Sequence, residues 1–97
     1  MAYYLTIPEI TEAEDIVSFS MGSGDRSFTI VINAGATANE LFQAAARGTV
    51  MPLVVIVTDG PMFALDDTVV SSVLAGGSGG AENFMTFTLD AAVVRMV

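Results

Sequence analysis

The 97-residue sequence contains no histidine, no cysteine, no lysine and no tryptophan. Each absence removes a chemistry. A serine nucleophile needs a histidine or lysine base, a Schiff base needs lysine, and thiolate attack needs cysteine. No disulfide framework and no thiolate-bound zinc or iron–sulfur cluster can form. Positive charge is also scarce: three arginines stand against eleven acids, a formal net charge of -8. That balance repels phosphate backbones and removes the attraction on which nucleic-acid binding and docking on anionic membranes depend. The longest apolar run, Val50 to Val57, contains Pro52 and is too short to span a bilayer. The opening Met1 to Glu9 lacks the basic region of a secretory signal, so the expectation is a product made in the cytoplasm without one.

What the chain has instead is apolar surface. Hydrophobic residues make up 53% of it and charged residues only 14%. Residues 1–97, read as one domain, enclose too little volume to hide so many apolar side chains. An intersubunit surface is the natural cover for the remainder.

Strand signals dominate. Tyr3, Leu5 and Ile7 alternate with Tyr4 and Thr6 until Pro8-Glu9 ends the run. The acidic stretch Glu9 to Asp15 reads as a solvated loop leading to a second strand, Ile16 to Met21, with Val17, Phe19 and Met21 on one face. Gly22, Ser23, Gly24 and Asp25 turn the chain into a third strand carrying Phe28, Ile30 and Ile32 inward. One helix is signposted, about Thr37 to Arg47: Thr37 and Glu40 spell a capping box, Leu41, Phe42 and Ala45 form a stripe, and Gly48 is the C-cap. Leu53 to Val57 is apolar on both parities, as in a strand covered on one face by core and on the other by a helix or a neighbouring subunit, which makes Val55 and Val57 interface candidates. Asp59-Gly60-Pro61 turns into a strand that Asp66-Asp67 bulges or protects as an edge, and the last strand, Asn83 to Val97, kinks at Asp90. The architecture expected is mainly β: a small β-barrel or sandwich with one helix packed on its side.

The candidate sites resolve to ordinary structure. Gly76-Gly77-Ser78-Gly79-Gly80 spells G-x-S-x-G, but no histidine exists to activate Ser78, and a strand rather than a helix follows. It reads as a glycine loop between strands. Glu9, Glu12, Glu14 and Asp15 could be imagined around calcium, yet the EF-hand spacing is absent. Asp59, Asp66 and Asp67 are accounted for by turn chemistry and strand protection. No catalytic group, metal ligand set or cofactor motif is identified, and an enzyme is not expected. The scattered methionines, Met51, Met62 and Met85 among them, suit core or interface packing.

Thr68 to Asn83, with Val70-Ser71-Ser72-Val73 followed by Gly76-Gly77-Ser78-Gly79-Gly80, resembles the V-S-S-V-x-x-G-G-S-G-G segment of the haemolysin-coregulated protein family, the inner-tube subunits of type VI secretion systems. Ala36 to Gly48 is similar to that family's S-x-x-L-x-x-A-x-x-G helix, and Tyr3 to Ile10 to its first strand. The resemblance implies a β-barrel with a side helix, hexameric rings joined edge to edge, and stacking of rings into a tube like those of contractile phages. It implies sheath, spike and effector proteins as partners, and export with the tube. Members of the family are longer between the second and third strands, where a loop helps rings stack. Stacking here would fall to Gly22–Asp25, to the Gly76–Gly80 loop with Glu82, and to the acidic segment. The alternative is a small monomeric module that binds a peptide, glycan or protein through its loops.

Overall fold

The computed structural model describes residues 3–22, 26–76 and 83–97. Six strands and one helix follow in the order β1 (Tyr4–Ile7), β2 (Thr11–Met21), β3 (Ser27–Asn33), α1 (Ala36–Arg47), β4 (Met51–Val57), β5 (Met62–Gly76) and β6 (Phe84–Met96). The strands pair in the spatial order β1-β2-β3-β6-β5-β4 and close, because β4 returns to β1. Every pairing is antiparallel. The expected barrel with one side helix is the fold found.

Alternation sets which side chains fill it. Leu5 and Ile7 on β1, Phe28, Ile30 and Ile32 on β3, Val54 and Ile56 on β4 and Phe87 and Leu89 on β6 are buried, while their chain neighbours are more exposed. Tyr3, Phe19, Phe63 and Phe28 form a line of edge-to-face and tilted rings with centroids 5.4, 6.4 and 5.4 Å apart.

Two bulges re-aim the strands. On β2 the register slips between Ile16 and Ser18, so Val17 is the extra residue. Ile16 takes the buried position and Val17 is 53% exposed, which corrects the expected Val17-Phe19-Met21 face. Phe19 and Met21 stay opposite inward Ile30 and Phe28. On β5 the slip lies between Val70 and Ser72, not at Asp66-Asp67, and the Ser71 hydroxyl donates to the Thr88 carbonyl. Asp67 instead takes a positive φ of 49°. Across it the buried positions change parity, from Phe63 and Leu65 to Thr68 and Val70. Asp90 does not kink β6; it pairs in register with Ser27 and Val69.

The acidic segment is also strand. Thr11, Glu14 and Asp15 pair with Ile7, Leu5 and Tyr4, which leaves only Pro8 to Ile10 as the turn. Pro8 supplies the first central position of a turn closed by Ile10 N–H to Ile7 C=O, and Glu9 adopts the left-handed φ of 72° that such a turn demands at its second. Charge alone did not make a loop, because β1 offered these residues a ladder and their side chains can point to water.

The helix begins one residue earlier than its signature suggested. Gly35 is the N-cap, its carbonyl accepts from Asn39 N–H, and no side chain caps the end. The Thr37–Glu40 capping box therefore does not form: Thr37 lies inside the first turn and is buried. Thr37, Ala38, Leu41 and Ala44 make the buried stripe, and Phe42, one position round from Leu41, is 52% exposed. Gly48 ends the helix as expected, at φ 65°, with Gly48 and Thr49 N–H groups closing on Ala45 and Ala44. Small side chains at Ala38 and Ala44 let α1 lie close on the barrel, chiefly against β5.

One polar atom in this core has no partner. Thr68 is fully buried and its hydroxyl makes no hydrogen bond. An unsatisfied buried hydroxyl costs about 1–3 kcal/mol, whereas a methyl of the same shape costs nothing there. Thr68→Val is expected to raise the unfolding free energy by about 1 kcal/mol in a urea titration; a loss would show that the hydroxyl has found a partner.

Candidate functional site

The residues expected to form contacts between copies do not converge. Val55 and Val57 are half-buried on β4, paired with Thr6 and Tyr4 of β1 on one side and Ala64 and Met62 of β5 on the other. Gly22 closes the β2–β3 hairpin through its N–H to Ser27 C=O, and Gly76 pairs with Phe84 at the end of the β5–β6 arm. Ser27 and Asn33, the two ends of β3, pair with Asp90 and Phe84, so these two turns sit at opposite ends of the barrel. Ser23, Gly24, Asp25, Gly77, Ser78, Gly79, Gly80 and Glu82 lie outside the described residues.

The acids are dispersed. Thr58 organises the Asp59-Gly60-Pro61 turn by accepting from Gly60 N–H and donating to the Pro61 carbonyl, which leaves Asp59 exposed. Among the described residues no three His, Cys, Asp or Glu side chains gather as metal ligands.

Asp66 has a partner the sequence did not reveal. On neighbouring strands Asp66 pairs with Val93 and Ala64 with Arg95, so Asp66 and Arg95 are diagonal neighbours. The Arg95 Nε and Nη2 donate to the two carboxylate oxygens at 2.8 and 3.0 Å. This two-point ion pair, rather than protection of an edge, is what Asp66 does on an internal strand. The hydrogen bond from Arg95, helped by its charge and opposed by partial desolvation, holds the Asp66 carboxyl below the ordinary aspartate range.

Closure of the barrel leaves several strand segments paired on one side only. Segments Thr11–Asp15 and Ile16–Met21 of β2 use different partners, β1 and β3, so each half has an open edge among the described residues. Met51–Val54 of β4 extends past the β1 ladder, and Pro52 stands there exposed. β5 runs beyond its last β4 partner, Thr68, and is the strand on which α1 packs. β6 is paired with β5 throughout, but its β3 side ends at Asp90 with one further bond from Ala91 N–H to Arg26 C=O. Beside these edges stand exposed apolar side chains. Met96 is 70%, Val17 53% and Val93 51% exposed. Met21, Phe63, Val94 and Met96 line an open apolar depression of about 340 Å³ at the barrel end.

A closed antiparallel barrel in this strand order, with one helix and no assembled catalytic group among the described residues, can be compared directly with known structures. The fold is Hcp-like. Hcp2 from Salmonella typhimurium superimposes with a TM-score of 0.87 at 14% sequence identity, over 99% of this chain and 85% of that one. A type VI secretion system effector from Yersinia pestis gives a TM-score of 0.82 at 10% identity, over 98% and 96% of the two chains. The baseplate of the anti-feeding prophage is a more distant likeness, at TM-score 0.59 and 14% identity over 98% of this chain and 90% of that one. No family model and no curated protein sequence matches the chain. No helix among the described residues is long and apolar enough to cross a membrane.

The Asp66–Arg95 pair makes a pH prediction. Because the folded carboxyl titrates lower than the unfolded one, its stabilisation is fully present above the ordinary aspartate pKa of about 4 and disappears as pH falls through the lower folded value. Asp66→Asn should therefore be less stable than the parent chain at pH 7, by a small amount since both side chains meet solvent. The two should converge in acid denaturation experiments below pH about 3. A stability gap unchanged with pH would contradict the assignment.

Proposed function

We propose that the chain is a structural subunit that assembles with copies of itself into rings, and that the rings stack into a tube of the type VI secretion or phage-tail kind. The observation that carries this reading is the coincidence of an Hcp-like barrel with unpaired strand edges flanked by exposed valine and methionine. An open apolar edge is a template for another strand, and natural monomers normally blunt it. Rings of six copies are the closed form proposed, with sheath, spike and effector proteins as outside partners when the tube is exported.

The hairpin turns at Gly22 and Gly76 suit stacking, since they stand at opposite ends of the β3–β6 ladder and would face the rings above and below. Val55 and Val57 offer a partly open apolar stripe on the outer face of β4 for contacts within or between rings. The net charge of -8 keeps such an assembly soluble and would give a lumen lined by it an acidic character.

Negative-stain electron microscopy of the purified protein over a range of concentrations tests the reading. Rings or short tubes are expected, and featureless monomer-sized particles at every concentration would overturn it in favour of a monomeric binding module. Val55→Asp is expected to keep a β-rich circular dichroism spectrum while losing rings. A folded variant that still forms them would take Val55 out of the interface.

A further inference from the structure

We propose that the open edges at Val17–Met21 of β2 and Ala92–Met96 of β6 pair with each other between copies, the β2 edge of one subunit adding to the β6 edge of the next. The inference rests on the ring-forming reading and names the surface that reading uses.

Three observations single out these two edges and a second copy as the occupant. The first is that the remaining open edges are blocked: β4 by Pro52, which has no N–H to give, the first half of β2 by Glu12, Glu14 and Asp15, and β5 by the helix on it. The second is charge. Two copies at -8 each repel, so a contact between them must fall where acids are missing, and no Asp or Glu occurs from Ile16 to Gly24 or from Ala91 to Val97. The third is fit. The two segments are equal in length, and both carry outward apolar side chains, Val17 on one and Val93 and Met96 on the other, that an added strand would cover.

Because the two edges differ, each subunit has one edge of each kind. Their contact is head-to-tail, which closes into a ring when the rotation per subunit divides a full turn. The last bond on the open side of β6, from Ala91 to Arg26, shows where the ladder of the neighbour would continue.

The absence of native cysteine gives a direct test. Ser18 and Ser20 are exposed on β2 and Val93 is exposed on β6, so the double variants Ser18→Cys/Val93→Cys and Ser20→Cys/Val93→Cys cover two registers. A disulfide needs the two β-carbons within about 4.5 Å, which only paired edges supply. Under mild oxidation, at concentrations where rings are seen, at least one double variant is expected to lose its monomer band to a ladder of covalent multimers, while each single variant stays monomeric. Rings in the micrographs without a ladder from either double variant would overturn the edge assignment and leave the ring reading standing. A strong dimer from one single variant would overturn it too, since like edges would then be meeting. Neither rings nor ladder would remove the ring reading and this pairing with it.

Discussion

Everything in this molecule depends on a short ladder: Tyr4, Leu5 and Thr6 of β1 against Val57, Ile56 and Val55 of β4. Without it the six strands would be an open sheet with two long edges and a core exposed on one side. With it, Leu5 and Ile56 meet inside a closed barrel and the aromatic line from Tyr3 to Phe28 is enclosed. The strands differ greatly in length, four residues in β1 against fifteen in β5 and thirteen in β6. Closure around the shortest strand forces the long ones to overhang. The overhangs are where backbone groups and apolar side chains remain for another chain to use.

This geometry accounts for a composition that suits a lone monomer poorly. The largest inward side chains are fully buried, so the excess of apolar residues is not a loosely filled core. It stands outside, at Val17, Phe42, Leu74, Val93 and Met96, while the acids occupy β1–β2, the β4–β5 turn and the middle of β5. A chain with a large net charge and acid-free apolar edges directs association to those edges and away from the rest of its surface.

Periodicity made much of the fold legible. Phe28, Ile30 and Ile32 announced an inward face, Leu53 to Val57 a strand covered on both sides, and Gly48 the end of the helix. The misreadings have a common cause: a local signal gave way to a ladder or a contact distant in sequence. The acids of β2 looked like a loop until β1 paired with them. Val17 looked inward until a bulge moved Ile16 into its place. Thr37 and Glu40 spelled a cap, but Thr37 was needed under the helix. Legibility of the assembly surface was lower still. Glycine loops drew attention because they are conspicuous in a sequence, whereas an open strand edge has no composition of its own and is visible only once all pairings are known.

The central claim is that closure satisfies some backbone groups within the subunit and leaves others for its neighbours. Amide hydrogen exchange, read by mass spectrometry on dilute and on concentrated protein, separates the two sets directly. Amides of the β1–β4 ladder should be protected in both samples, and those of 17–21 and 92–96 should exchange rapidly when dilute and become protected on assembly. Equal exchange at 17–21 and 92–96 in both samples, with rings present in the concentrated one, would contradict the account.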